Sequence, residues 1–396
     1  MRPVLVRKLC DVYSRVGSTR RYGTRSDKEG GGSSESPLRR LLNDASAFSE
    51  PATPASDPEL LWATQPYATR PREDEREPRV EPSDTTVLLF PGQGAQQVGM
   101  GRALLQVPAA RDLYQLASSV VGWDVARVCT EGPADELARR CQTAVLVTAL
   151  AALERARDSR PAALERVRAA AGFSLGEITA LVYAGALPFE AALRLVELRA
   201  AAMSAASAER AGGMLTVWLA ADARLGAALH AAREHAAERG VVEPVCAVAN
   251  YLFPGCKVVA GDEAALRHVE RHGGAHGVRR TARVRVEGAF HTALMGRAEQ
   301  AVRAALREVA VGAPRLRVVS CVDARAYAAG AADVRRRVAR LTTRPVRWEQ
   351  TLHALYARPR GESFPLTLAL GPGGALRSTL RQVNARAWDC SLQIDV

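Results

Sequence analysis

A serine between two glycines is the first candidate for chemistry in this sequence. Residues 172–177 read GFSLGE and contain the pattern G-x-S-x-G. In this pattern the serine lies on a sharp turn between a strand and a helix, and the glycines let the backbone pass closely. The flanking residues predict a weak strand at 167–171 and an apolar-periodic helix at 177–185. Ser174 is therefore a candidate nucleophile; an ordinary glycine-rich turn is the alternative.

One of the seven histidines is a candidate base for that serine. His291 lies in a loop, at the end of the sequence GAFH, just before an expected helix at 293–309. His353 falls on a late amphipathic helix, where a structural role is expected. The remaining five occupy polar helix surfaces and lack metal-site spacing with Cys or carboxylates, so no metal site is predicted: His230, His235, His268, His272 and His276.

The acid of a hydrolase triad has no clear candidate in this sequence. An α/β-hydrolase carries its acid between the serine and the histidine. Only two aspartates, Asp222 and Asp262, lie between Ser174 and His291. Both are interpreted as helix N-caps, and no glutamate of the interval stands at a strand end. The sequence therefore favours a Ser–His dyad whose histidine is oriented by a backbone carbonyl.

An arginine falls on the apolar stripe of the expected helix at 188–210. Arg199 shares that stripe with leucine, valine and methionine side chains. An unpaired buried charge costs several kcal/mol, so a guanidinium there needs a carboxylate. Two interpretations remain open: an internal ion pair, or a bidentate clamp for a carboxylate of the substrate.

A glycine-rich turn follows the first buried strand, expected at 86–90. Residues 91–96 read PGQGAQ. The glycine pair frees the backbone to turn and to leave an N–H without an acceptor, as a donor of an oxyanion hole requires. An ordinary strand-to-helix turn would have the same composition.

The pattern of elements predicts two α/β units. Residues 213–286 follow the order β-α-β-β-α-β, a ferredoxin-like subdomain inserted in a larger one. The larger unit, 86–212 and 287–390, is expected to be an α/β-hydrolase-like domain with a parallel sheet. We expect strands at 214–218, 245–250, 257–261 and 279–286, and helices at 222–238 and 263–272.

The N-terminal part of the chain has a different composition. Residues 1–25 are rich in arginine, contain serine and are poor in acids, which is typical of a mitochondrial transit peptide; a disordered basic tail is the alternative. Residues 26–85 are rich in Gly, Ser, Pro and mixed charge and are expected to form a disordered linker.

The net charge of +12 favours an acidic partner or an anionic ligand; a solvated, arginine-rich surface is the alternative. Nucleic acid is an unlikely partner because no nucleic-acid-binding motif is found. No apolar run is long enough to span a bilayer. The seven cysteines are scattered without C-x-x-C pairs, which indicates free thiols in a reducing compartment.

Several motifs stand together in one order: LLFPGQG at 88–94, GFSLGE at 172–177, ELR at 197–199, GAFH at 288–291 and GPG at 371–373. Over roughly residues 86–390 the set resembles the malonyl-CoA:acyl-carrier-protein transacylases. The phenylalanine before Ser174 resembles the mitochondrial form.

The resemblance implies a role for each matching position. Ser174 would be the nucleophile and His291 its general base. The backbone N–H groups of Gln93 and Leu175 would form the oxyanion hole. Arg199 would hold the substrate carboxylate, and two further substrate-binding residues are implied: Gln142 and Asn250.

The resemblance also implies the partners and the compartment. These are malonyl-CoA and an acidic acyl carrier protein, no cofactor, and the mitochondrial matrix. The basic stretch 267–285 is a candidate docking surface for the carrier protein; a solvated helix and strand edge is the alternative.

Three positions depart from the family pattern. Thr143 stands where the family usually has Pro, and Leu252 where it has a second Asn. The family Gln that orients the histidine, largely through its carbonyl, corresponds to Leu341, or to Arg340 if one residue is inserted. Two other functions therefore stay open: an acyltransferase or thioesterase of different acyl specificity, and a non-catalytic protein that binds acyl carrier protein.

Overall fold

A computed structural model describes residues 82–286 and 288–396 of the chain. The predicted transit peptide and nearly all of the predicted linker lie outside these residues. Its strands are β1 (Thr86–Phe90), β2 (Val167–Gly172), β3 (Gly212–Leu219), β4 (Cys246–Phe253), β5 (Cys256–Asp262), β6 (Val278–Arg283), β7 (Arg317–Val319), β8 (Val346–Arg347), β9 (Leu366–Leu370) and β10 (Ser391–Ile394).

The α-helices within the same residues are α1 (Pro108–Val121), α2 (Val125–Thr130), α3 (Ala134–Arg139), α4 (Cys141–Ser159), α5 (Pro161–Glu165), α6 (Leu175–Tyr183), α7 (Phe189–Glu209), α8 (Leu225–Glu238), α9 (Glu263–His272), α10 (Gly296–Glu308), α11 (Ala331–Arg340), α12 (Trp348–Tyr356), α13 (Ala375–Val383) and α14 (Ala385–Asp389). Short 3-10 turns join some of them.

The larger sheet is parallel, as predicted, with the strand order β10-β9-β1-β2-β7. All five residues of β1 are buried, as expected for the central strand of a sheet that helices cover on both faces. Phe90 at the end of β1 pairs with Gly172 at the end of β2. The turns after these strands therefore leave the same edge of the sheet, which brings Gln93 close to Ser174.

The smaller sheet has the order β6-β3-β5-β4-β8. Its first four strands pair antiparallel in the ferredoxin-like order, which confirms the predicted subdomain. The fifth strand, β8, runs parallel to β4 and comes from the part of the chain after the insertion. The larger sheet also extends beyond residue 390, the predicted end of its domain, because β10 pairs with β9.

Neither of the two aspartates predicted to cap helices does so. Helix α8 begins at Leu225, three residues after Asp222. Asp262 precedes α9, but its carboxylate accepts no capping hydrogen bond. It binds Arg210 at 2.5 and 2.8 Å and accepts from the Val245 N–H at 2.6 Å, so it fixes the end of α7 to the smaller sheet.

The faces of the smaller sheet contact different parts of the molecule. Helices α8 and α9 pack on one face. A Cβ added at Gly213 of β3 would point toward Leu266 of α9, whereas one at the neighbouring Gly212 would contact Ala289. The segment that leads to His291 therefore lies on the face opposite these helices, where Ala289, Phe290 and Leu294 join the cluster around Met214.

A buried ion pair ties the smaller sheet to the following helix. Lys257 Nζ on β5 lies 2.5 Å from a carboxylate oxygen of Glu349 on α12, and both side chains are about 5% exposed. No helix in residues 82–286 and 288–396 has the length and apolar character needed to cross a membrane.

Candidate active site

Ser174 occupies a strained turn between β2 and α6. Its φ of 51° and ψ of −101° lie outside the regions that L-residues normally adopt. A Cβ on Gly172 would collide with the backbone of Gly176, and a Cβ on Gly176 with the carbonyl oxygen of Phe90. Both glycines of the motif are therefore required sterically. Together they place the serine at the first turn of α6, as expected for a nucleophile elbow.

His291 lies against this serine. Its Nε2 is 3.0 Å from Ser174 Oγ, and both residues are 6% exposed. The loop that carries the histidine has a left-handed residue at His291 itself, with φ of 63°. The His291 N–H donates to the carbonyl of Thr342 at 3.0 Å, which anchors the loop after Gly288 to the end of α11.

Arg199 is the third member of this group. It is 1% exposed, and its Nη2 donates to Ser174 Oγ at 3.1 Å. A guanidinium only donates, so the Ser174 hydroxyl oxygen accepts from Arg199, and the hydroxyl proton remains available for a bond to His291 Nε2. In the Nδ1–H tautomer of the imidazole, Nε2 is unprotonated and can take the serine proton.

The histidine is held neutral. Burial lowers the pKa of His291 to about 3, and the positive charge of Arg199 contributes in the same direction. The carbonyls of Leu341 and Arg344 oppose the shift, although Nδ1 has no partner of hydrogen-bond geometry among the described residues. The Leu341 position, where the family pattern places Gln, thus acts on the histidine through its main chain.

The guanidinium of Arg199 has no carboxylate partner within 82–286 and 288–396. Its Nη1 donates to Gln142 Oε1 at 2.6 Å, and its Nε has no hydrogen-bond partner in that part of the chain. Burial lowers the pKa of Arg199 to about 10, so the group is charged at neutral pH. The internal ion pair considered from the sequence is not observed among these residues, and the charge faces the nucleophile instead.

Gln142 connects Arg199 to the turn after β1. Its Nε2 lies 3.3 Å from Gln93 Oε1 and 3.7 Å from Met203 Sδ. Neither the Gln93 N–H nor the Leu175 N–H donates to an acceptor among the described residues. The turn and the start of α6 therefore present two unused backbone donors near Ser174, where the helix dipole also favours negative charge.

The chain is similar to known proteins over most of its length. Residues 87–362 match the model of the acyl transferase domain family, well over half of the chain. A protein of Drosophila melanogaster named a probable mitochondrial malonyl-CoA-acyl carrier protein transacylase is 45% identical over 328 residues, 82% of this chain and 86% of that protein. The Homo sapiens protein of that mitochondrial name is 42% identical over 80% of this chain and 81% of its own length.

The chain belongs to the malonyl-CoA:acyl-carrier-protein transacylase family. A solved structure agrees: the acyl-carrier-protein S-malonyltransferase of Burkholderia pseudomallei superposes with a TM-score of 0.70 at 29% identity, over 78% of this chain and 96% of that one.

Asn250, which the family resemblance implies as a substrate-binding residue, forms no hydrogen bond with the Ser174, His291 and Arg199 group. Asn250 is buried on β4, opposite Val258 and Val346. Its part in substrate binding stays a prediction.

The sequence did not predict that Glu177 stabilises the turn that carries Ser174 in this transacylase-family site. Glu177 in the first turn of α6 is fully buried and accepts from the Cys321 N–H at 2.6 Å and from the Tyr327 hydroxyl. Burial raises the pKa of its carboxyl. The final E of GFSLGE was the available signal, but Cys321 and Tyr327 lie about 150 positions away and have no motif.

Proposed function

We propose that this chain moves a malonyl group from malonyl-CoA to the phosphopantetheine thiol of acyl carrier protein, through a malonyl ester on Ser174. The observation that carries the proposal is Arg199. Its buried, charged guanidinium contacts the nucleophile and has no acidic partner among the described residues. A short acyl group that ends in a carboxylate supplies the missing charge, whereas an acetyl group would leave it uncompensated.

The first half-reaction begins at the Ser174 hydroxyl. His291 Nε2 takes its proton while Oγ attacks the thioester carbonyl carbon, which gives a tetrahedral oxyanion and an imidazolium. The C–S bond then breaks, and the CoA sulfur leaves with the proton from His291. The products are CoA and the malonyl ester of Ser174.

The oxyanion is stabilised by the N–H groups of Gln93 and Leu175. Both lack acceptors among the described residues, and removing one donor from such a hole typically costs about 10²–10³ in rate. They belong to the main chain, so their position depends on the turn after β1 and on the elbow.

The second half-reaction reverses the first with a different thiol. The carrier's pantetheine thiol loses its proton to His291, its sulfur attacks the ester carbonyl, and Ser174 Oγ leaves with that proton. The thioester and thiol supply all the chemistry, so the proposed reaction requires no cofactor. The mitochondrial names of the relatives support the mitochondrial matrix as the compartment, where the product would serve fatty acid synthesis.

Intact-mass measurement tests the proposal. The chain is incubated with malonyl-CoA and then with a holo acyl carrier protein. We expect one malonyl adduct on the chain, its absence in Ser174→Ala, and its transfer to the carrier.

Ser118→Ala serves as the matched control, because this serine lies on α1 and hydrogen-bonds only Tyr114 and Val125 locally. An adduct that survives Ser174→Ala would contradict the proposal. A Ser174 adduct that water removes and the carrier thiol does not take up would favour the thioesterase alternative, and the absence of any adduct would favour the non-catalytic one.

A further inference from the structure

A second concave site lies between α8 and α9, on the outer face of the smaller sheet. It has a volume of about 310 Å³. Arginines and histidines of the two helices line most of it: His235, Arg239, Arg267, His268, Arg271 and His272.

The positive charge of this pocket is only partly compensated. Its one acidic lining residue, Glu263, already binds Arg267 at 2.8 Å and Arg283 at 2.8 Å. Arg239 and Arg271 form no ion pair with any described residue. Two exposed arginines therefore line the concavity without a carboxylate partner, and guanidinium groups in such a position are suited to planar bidentate recognition of an anion.

Three of the histidines, His235, His268 and His272, form a row of rings tilted by 40° and 37° to one another, the histidine stack. The His268 ring lies 4.6 Å from the rings of both His235 and His272. Its Nδ1 is buried and has no hydrogen-bond partner among the described residues. The other groups that act on it are Glu238 of α8 and His276 of the 3-10 turn after α9. The β3 residues that pack beneath the helices, such as Leu215 and Val217, are apolar.

His268, the middle ring of the stack, resists protonation. Burial lowers the pKa of His268, and the neighbouring histidines lower it further, with Glu238 acting in the opposite direction. Two imidazolium rings at this separation repel each other. An anion beside the rings would offset that repulsion and supply an acceptor.

We propose that this pocket binds the phosphate group of a phosphorylated ligand, and that the histidine stack takes up a proton when it does so. A phosphate offers several acceptor oxygens to Arg239, Arg271 and the imidazoles. Binding is therefore linked to protonation: it tightens as the pH falls toward the ordinary histidine pKa and weakens above it.

The site is separate from the acyl-transfer chemistry. Helices α8 and α9 and the segment before His291 lie on opposite faces of the smaller sheet.

The position of these helices also bears on the predicted docking of acyl carrier protein to the basic stretch 267–285. Arg283 is bound by Glu263 and Glu270, and the α9 arginines lie on the face away from Ser174, so these members of the stretch are poorly placed to deliver a carrier-bound thiol.

Calorimetric titration of the full chain with inorganic phosphate and with pyrophosphate, at pH 8 and pH 6, tests the proposal. We expect one site and, for the concentration of the fully ionised form of each anion at that pH, binding that tightens by up to about tenfold per pH unit, the limit for one linked proton. Arg271→Ala and His268→Asn should each weaken binding about tenfold or more. Arg279→Ala, an exposed arginine on β6 outside the pocket, is the control and should bind as the unaltered chain does. Malonyl transfer should be unchanged in all three variants.

Three results would overturn the proposal. They are binding that is equally tight in Arg271→Ala, binding that is independent of pH, and binding that chloride abolishes as fully as sulfate does at equal ionic strength. A parallel arm uses vesicles of neutral lipid with or without an anionic phospholipid. Capture by the anionic vesicles alone, lost in Arg271→Ala, would identify the phosphate as a lipid headgroup; titration by soluble phosphate alone would identify a free ligand.

Discussion

Arg199 Nη2 lies 3.1 Å from Ser174 Oγ, so the group that would hold a carboxylate touches the nucleophile itself. This contact restricts the acyl group. A carboxylate on Arg199 must be close in the chain to the thioester carbon that Ser174 attacks. Malonyl-CoA has one methylene between the two, so the contact accounts for both the charge and the length of the expected acyl group.

Gln142 should control whether Arg199 is free to bind the carboxylate of the substrate. Gln142→Glu replaces the neutral acceptor, 2.6 Å from Nη1, by a carboxylate of the same shape. The resulting internal ion pair should compete with the substrate and reduce kcat/KM for malonyl-CoA by roughly 10²-fold, about 2.7 kcal/mol. Gln142→Ala should have a smaller effect. Steady-state kinetics with malonyl- and acetyl-CoA would check this; a loss that is equal for both substrates would count against the idea.

The pH at which Ser174 loses reactivity on the acid side should lie far below the ordinary histidine pKa. Because His291 must be neutral to accept the proton and its pKa is lowered to about 3, Ser174 stays reactive as the pH falls through 6.5. The rate of inactivation by a serine-directed fluorophosphonate should be nearly flat from about pH 8 to about pH 5. In Arg199→Ala the pKa of His291 should rise, and this loss of reactivity should move to higher pH.

Acid unfolding must be followed in the same experiment. The folded state resists protonation of His291, whereas the unfolded chain takes up that proton below about pH 6.5. Stability therefore falls as the pH decreases, and circular dichroism at each pH separates this loss from the titration. A rate that falls near pH 6.5 while the chain stays folded would contradict the assigned environment.

Gly172 should tolerate no side chain. A Cβ there would collide with the Gly176 backbone, so Gly172→Ala should destabilise the chain by about 3 kcal/mol and abolish malonylation. Gly274→Ala is the control, because a Cβ at Gly274 meets nothing within 4 Å, and its effect should stay within about 0.5 kcal/mol. Denaturant unfolding measures both; equal stabilities would show that the elbow can relax.

The buried Lys257–Glu349 pair offers a test of how strongly β5 of the smaller sheet is held to α12. Lys257→Met leaves a buried carboxylate without its partner and should cost about 3–5 kcal/mol. Adding Glu349→Gln should recover part of that loss, since no charge then remains buried. A double-mutant cycle by denaturant unfolding gives the coupling energy. Additive losses would mean that the pair contributes nothing beyond its packing.

Much of this architecture follows from local patterns in the sequence. The strand-to-helix signals around Ser174 and the β-α-β-β-α-β order of the insertion are confirmed. The spacing of apolar residues along α7 correctly predicted that Arg199 lies on a buried face of this helix. Parallel pairing of β1 with β2 then brings the turn of Gln93 to the serine without any further signal.

Other features could not be read from side-chain types. His291 is held by the main chain of Thr342 and influenced by the carbonyls of Leu341 and Arg344, and a carbonyl leaves no signature in a sequence. Strand β8 is two residues long, too short for any periodicity. Asp262 precedes a helix as a cap would, but the long-range contact with Arg210 decides its role.

The most direct test of the central claim is the acyl preference of Ser174 in Arg199→Ala. The chain is incubated with equal concentrations of malonyl- and acetyl-CoA, and the two adducts are resolved by intact mass. Arg194→Ala, an exposed arginine on the same helix, is the control. We expect malonyl to dominate in the unaltered chain and in Arg194→Ala, and acetyl to equal or exceed it in Arg199→Ala. A malonyl preference that survives Arg199→Ala unchanged would contradict the account.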